Sequence, residues 1–442
     1  MCNGTIMDKL ISFALPLMLS GILQLMFNAV DLVVVGHFSG QEALAAVGST
    51  TALIAVFTNL FIGVSLGANV LAARFYAAGR EKEMSETVHT SIMLALISGV
   101  AMAIVGVIFA KGALLLMDTP DNVINLSTLY MRIYFMGMPF FMLYNYGAAI
   151  LRAVGDTKRP LLFLIISGVS NAILNLILVI IFNLGVAGVA IGTVMSQLMS
   201  CVLVLRCLCK TQSSYQLHFD RLAIKGDYVK LIFQVGIPAG IQSTVINFSN
   251  VLLQSSVNSF GATAMAGYTA ANNLLGFLYV SVNAVTQACM SFTSQNYGVG
   301  KYKRMDRVLL DCLGLTVVVA GVLGGCVYLF GPQILRIYTS EAGVISCGME
   351  ILSITTIPYF LCGIMDLFPG SLRGMGYSAV PMVLSVIGTV GTRILWIYGF
   401  FPHNRSLFFL FISYPGSWII TIVMQVICYL YVRKRCVGAQ KV

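Results

Sequence analysis

The stretch Leu151-Arg-Ala-Val-Gly-Asp-Thr-Lys-Arg-Pro160 returns as Leu372-Arg-Gly-Met-Gly-Tyr-Ser-Ala-Val-Pro381, 221 residues later in a chain of 442. The displacement is half the length, so the chain is one unit written twice. Other landmarks keep the spacing: Ala14-Leu-Pro16 against Gly236-Ile-Pro238, and Phe75-Tyr-Ala-Ala-Gly79-Arg80 against Asn296-Tyr-Gly-Val-Gly300-Lys301. A repeat fixes architecture before any single residue is interpreted. The fold must therefore be a doubled one.

The medium follows from hydropathy. Apolar residues make up 58% of the chain and charged ones only 10%, where soluble domains carry about 25%. Apolar runs of spanning length recur, with cores at 99–110, 161–189, 313–330 and 407–432. In hydrocarbon each backbone amide must be satisfied within its own segment, so the spans must be helices. Six are expected in the first half, near 10–37, 43–73, 88–113, 125–150, 161–183 and 186–209. Six more are expected near 229–259, 263–296, 306–331, 344–369, 381–402 and 404–432. The expected fold is all-α: a polytopic membrane protein with 12 transmembrane helices in two pseudo-symmetric six-helix lobes. The lobes would run 1–210 and 229–442, joined by a polar cytoplasmic linker at 211–228.

Charge placement sets orientation. The net charge of +10 could signal nucleic acid. However, 21 of the 26 basic residues fall at the termini or in alternate connections, among them Arg74, Arg80, Arg152, Lys158, Arg159, Lys210, Lys301, Arg304, Arg373, Arg433 and Lys441. This is the positive-inside pattern, which puts both termini in the cytoplasm of a plasma or inner membrane and leaves no nucleic-acid role. Binding to anionic lipid headgroups is the other use for such loops. The segment before the first apolar run is short and lacks a small-residue cleavage site, so that run is expected to be the first helix. The eleven cysteines are scattered, and no histidine stands near enough to them for a zinc cluster; unpaired thiols packed as small hydrophobes are expected.

Six helices per copy bring each copy in and out on one face, so the copies are parallel repeats about an axis along the membrane normal, as in two-lobed secondary transporters. The cargo path in such proteins lies between the lobes. No phosphate-cradling glycine loop points to ATP, and no cofactor is implied beyond a coupling ion.

An ionisable group inside a span is costly and defaults to a functional role. Asp31 and Asp366 are the acids best placed within spans. At the repeat spacing Asp31 faces Leu253 and Asp366 faces Asn145, so each acid belongs to one copy only. Gln24, Asn28 and Asp31 share one face of the first helix. Ser167, Asn171 and Asn175 form a stripe in the fifth, and Thr193 and Gln197 in the sixth. Polar stripes in hydrocarbon turn toward one another, giving a pocket of one carboxylate, amide oxygens and a hydroxyl. Hard cations favour such an oxygen set, so sodium is one candidate and protonation of Asp31 the other. An acid capping the outer helix end, and simple interhelical hydrogen bonding by the asparagines, are the structural alternatives.

The two six-helix halves, the prolines of the first and seventh helices, and the Leu-Arg-x-x-Gly…Pro element after the fourth and tenth resemble the MATE (multidrug and toxic compound extrusion) transporters. The likeness spans essentially the whole chain. It implies an antiporter, not an enzyme, exporting small amphipathic organic cations in exchange for Na+ or H+. Members place a cation at an Asp of the first helix, fifteen residues after its Pro, as Asp31 follows Pro16. Two fifth-helix positions and a sixth-helix Thr complete that site, matched by Asn171, Asn175 and Thr193; Asn28 is the added neighbour. One acid here stands where a pair would serve a proton relay. In the second half the family's seventh-helix Glu is replaced by Gln242, and its tenth-helix Asp falls nearer Cys362 than Asp366.

The cargo surface is expected to draw on Gln24, Met138, Tyr144, Gln242, Asn250 and Asp366. Met131, Met136 and Met142 with Tyr134, Phe140 and Phe141 offer soft, polarizable contacts for organic cations, although ordinary packing explains them too. Asp366 either pairs with Arg373 or another base of the loops, or contacts a cation or cargo in the second lobe. Arg393 in the eleventh helix is expected to snorkel to the outer interface. A monomer is expected. Two other functions fit the frame in part: a flippase for lipid-linked oligosaccharides, which needs a basic cavity, and an intramembrane prenyltransferase, which needs clustered aspartates.

Overall fold

The computed structural model describes residues 1–117 and 119–438; Lys441, counted above in the basic tail, lies outside the described residues. The chain is 88% helical, with no strand among the described residues. In chain order the helices are α1 (Met7–Phe38), α2 (Gln41–Ala77), α3 (Glu81–Leu116), α4 (Asp121–Met136), α5 (Met138–Ala153), α6 (Lys158–Leu176), α7 (Gly185–Lys210), α8 (Gly226–Asn258) and α9 (Ala262–Gly298). There follow α10 (Tyr302–Leu329), α11 (Gly331–Tyr338), α12 (Ala342–Thr356), α13 (Tyr359–Gly374), α14 (Ala379–Ser385), α15 (Thr392–Leu395), α16 (Leu407–Phe411) and α17 (Ser413–Gly438).

These helices supply the expected spans, several of them broken. Among the described residues ten helical segments are long and apolar enough to cross a membrane, or eleven when α12 and α13, bent by 48°, are taken as one. The expected fourth span is α4 and α5, interrupted at Gly137. The fifth is α6 prolonged by a π-helical turn at Ile177–Ile181. The eleventh is the most irregular: α14, a π turn at Val386–Gly391, the four residues of α15, and a second π turn at Trp396–Phe400. Such π turns are rare and concentrate at functional sites.

The chain packs into two compact units, one of residues 19–240 and one of residues 1–18 with 241–442. The divisions fall inside α1 and α8 rather than in the connections. In the first unit a single apolar core runs from Val34 to Ile232. Helix α2 meets the first half of α8 through Gly63 and Gly67 on one side and Gly236 and Gly240 on the other. A Cβ built on any of the four would collide with the opposing backbone. Lipid offers helices no hydrophobic reward for associating, so small residues four apart, which let backbones touch, do that work by van der Waals packing. The connection after α7 is pinned to α3: the His218 amide donates to His89 Nε2 (3.1 Å), and Tyr228 Oη donates to Glu86 (2.8 Å).

In the second unit the chain's first residues are part of the packing. Arg304 donates to the carbonyls of Met1, Asn3 and Gly4, and Lys301 to that of Cys2. Phe13 meets Phe292 edge to face at 5.6 Å. Asp306 binds Arg433 in a two-point ion pair at 2.8 Å, tying α10 to α17. All eleven cysteines are free thiols.

Gly67→Val should force α2 away from the Ile232 carbonyl. Overpacking of this kind costs about 1–3 kcal/mol. A lowered melting temperature of the purified protein in detergent is expected. An unchanged one would refute the backbone contact.

Candidate functional site

Within the 19–240 unit three helices bring the predicted polar stripes together. Asn175, fully buried on α6, donates from Nδ2 to Asp31 Oδ1 of α1 at 2.6 Å. The same amide reaches Asn171 Oδ1, one turn back, at 3.4 Å. Two glycines make room. A Cβ at Gly192 on α7 would overlap Asn175 Oδ1, and one at Gly168 on α6 would overlap the Phe27 ring of α1. Thr193, beside Gly192, is half-buried and donates its hydroxyl to the Val189 carbonyl (3.0 Å), which leaves its lone pairs free to accept. Asn28 and Gln24 lie further back on α1 and are exposed.

Helix α4 adds residues that the stripes did not disclose. Tyr130 and Tyr134 both lie within the field of the Asp31 carboxylate. They stack on each other at 6.1 Å. The sequence puts Tyr134 among contacts for an organic cation and gives Tyr130 no role. Their spacing of four residues was the available signal, but it reads equally as packing.

The arrangement has a surplus of acceptors. Asn175 Oδ1 and Gln197 Oε1 are buried and accept no hydrogen bond. An unsatisfied buried acceptor costs about 1–3 kcal/mol. Together with the Asp31 carboxylate, bonded by one amide donor, the Asn171 and Asn175 oxygens suit a hard monovalent cation, whose charge Asp31 alone balances. Asn171, Asn175 and Asp31 are in mutual reach, with Thr193 on the adjoining turn of α7.

The remaining predicted residues are dispersed. Met138 and Met142 are fully buried in the first unit's apolar core. Tyr144 donates to the Pro160 carbonyl at 3.2 Å, bridging α5 to α6. In the second unit, Gln242 is buried and accepts from Arg373 at 2.6 Å. That bond occupies the guanidinium that sequence offered as a partner for Asp366. Asp366 is half-buried and feels the charge of Arg373, yet forms no ion pair within 4.0 Å among the described residues. Asn250 accepts from Arg393 at 3.0 Å. Arg393 does not snorkel, contrary to expectation. It is 3% exposed, its guanidinium carbon lying 4.1 Å from the centre of the Tyr414 ring. The irregular helix around it and the aromatic face of α17 give its charge a place inside the protein.

Comparison with known proteins identifies the family and the fold. The MatE family model matches twice, over residues 16–177 and 238–398, reproducing the internal repeat. The "Probable multidrug resistance protein YoeA" of Bacillus subtilis is 29% identical over 433 residues, 96% of this chain and 93% of that protein. The "Probable multidrug resistance protein NorM" of Thermotoga maritima is 25% identical over 88% of this chain and 84% of its own length. The "Multidrug export protein MepA" of Staphylococcus aureus strain RF122 is 21% identical, with 89% and 88% covered. Among solved structures, one of "MATE in the bent conformation" superposes with a TM-score of 0.89 at 20% identity, covering 99% of this chain and 97% of that one.

Gly192→Val adds no charge and removes no polar group, yet should displace Asn175 from Asp31. Sodium affinity, measured by isothermal titration on purified protein, should fall by at least tenfold, about 1.4 kcal/mol. Retained affinity would detach Asn175 from the site.

Proposed function

The chain belongs to the MatE family, and from that premise we propose that it exports amphipathic organic cations by exchanging them for sodium held at Asp31. It is a multi-pass membrane transporter and not an enzyme. The observation that carries the sodium assignment is the meeting of oxygens between α1 and α6. Asp31 Oδ1 accepts from the Asn175 amide, Asn171 Oδ1 lies 3.4 Å from the same amide, and Asn175 Oδ1 stands buried without a donor. A proton would satisfy Asp31 but leave the Asn175 oxygen unpaired. A metal cation can draw on carboxylate and amide oxygens together.

Exchange requires that ion and cargo disfavour each other's binding. With one carboxylate in the site, Asp31 balances one positive charge, so a second cation finds no counter-charge left and is repelled by the first. Two unit charges about 6 Å apart at an effective dielectric near 20 repel by about 3 kcal/mol. That is a coupling free energy of roughly a hundredfold in affinity, within the range seen for allosteric linkage. Sodium arriving down its gradient thus expels a cationic cargo, and cargo arriving from the other side expels sodium. Asn171, Asn175 and Thr193 hold the ion; Asn28 and Gln24, exposed on the same face of α1, lie on the route to it. The basic loops support cytoplasmic termini, so cargo enters from the cytoplasm.

Purified protein in liposomes, preloaded with a fluorescent organic cation, tests this under separately imposed sodium and proton gradients. Sodium-driven dye movement is expected in the wild type. Asp31→Asn should lose at least nine-tenths of the sodium-driven component while still folding. Coupled movement that persists in Asp31→Asn removes the site assignment, movement driven by protons alone replaces the ion, and no movement of any cationic dye removes the cargo class.

A further inference from the structure

The two copies bridge the same pair of spans with opposite charges. Asn250 lies 222 residues after Asn28, and Arg393 lies 222 residues after Asn171. In the first unit, α1 is joined to the fifth span by the Asp31 carboxylate and the Asn175 amide. In the second, α8 is joined to the eleventh span by the Asn250 amide and the Arg393 guanidinium. Where the first copy buries an acid, the second buries a base.

That base has no counter-charge. A guanidinium carries five N–H donors in one plane. Among the described residues Arg393 makes one hydrogen bond, to Asn250, and no ion pair. Its Nε is buried without a partner. Tyr414 covers one face of the guanidinium, leaving the donors along its edge. The surroundings are aromatic: Phe411 lies 5.7 Å from the rings of both Tyr268 and Tyr414, and Trp418 packs edge-on against Tyr414 at 5.7 Å and against Tyr359 at 5.7 Å. Arg393 stands on the four-residue α15 between two π turns, the most irregular backbone of any span. Buried charges are ordinarily paired, and a planar fork of unused donors matches the two oxygens of a carboxylate.

We propose that the unit of residues 1–18 and 241–442 holds an anion-binding subsite at Arg393 and Asn250, walled by Tyr268, Tyr414 and Trp418, which takes a carboxylate or similar anionic group borne on an apolar, aromatic body. As a subsite for cargo it rests on the transporter function and widens the cargo class to molecules that carry a negative group beside any positive one. An anionic lipid presents the same chemistry.

The chain has two tryptophans, Trp396 and Trp418, one three residues from Arg393 and the other against the ring that Arg393 covers. Energy transfer from them to pyrene therefore reports binding at this subsite. The full-length protein in detergent is titrated with pyrenebutyrate and with pyrenylbutyl-trimethylammonium, which share ring and chain and differ in charge. The carboxylate should bind at least tenfold more tightly. Arg393→Met should erase that preference, and Arg393→Lys should restore part of it. Equal affinity of the two probes for the wild type, or unchanged carboxylate binding in Arg393→Met, would make Arg393 a structural cation only and overturn the proposal. If Arg393→Met does not fold, the wild-type comparison of probes still decides. Repeating the titration in phosphatidylcholine discs with and without phosphatidylglycerol distinguishes the sources: competition by the anionic lipid assigns the subsite to a headgroup, and its absence to free cargo. No transport is measured and Asp31 is intact throughout, so failure here is separable from failure of sodium coupling.

Discussion

A polar group in hydrocarbon must find its partner inside the protein, and the rest of this structure depends on that constraint. It makes the spans helical, and it turns polar stripes inward until amide meets carboxylate or guanidinium. It also explains why small residues recur at crossings. With no water to expel, helices are held by close contact, which Gly63, Gly67, Gly236 and Gly240 permit. At Asp31 and Arg393 the constraint is satisfied only in part. Each is bridged by one neutral side chain and balanced by no opposite charge among the described residues.

Much of this was legible in the sequence because a repeat supplies its own ruler. The displacement of Leu151–Pro160 onto Leu372–Pro381 located the spans, and the comparison of copies singled out Asp31 against Leu253. Helical periodicity then gave the faces: Asp31 with Asn28, and Asn171 with Asn175. Periodicity gives a face but not its partner. Nothing in the spacing of Tyr130 and Tyr134 distinguishes a residue beside Asp31 from one in the core, because the choice is made by how α4 lies against α1 and α7. Arg393 was misread for the same reason. A long basic side chain near a span's end usually snorkels, and only the placement of Tyr414 and Asn250 makes burial the cheaper course. The interruptions were equally hidden, since π turns in the fifth and eleventh spans leave no mark in apolar composition.

Sequence halves and compact units do not coincide. The boundaries fall within α1 and α8, so each of those helices contributes to both units, and the unit of residues 19–240 is continuous in sequence while the other is not. The first unit has every residue it needs by residue 240. Residues 1–18 precede it in sequence, yet their partners Phe292, Lys301 and Arg304 all lie in the second half of the chain. Half a chain, however faithful a copy of the other half, is therefore not half a protein.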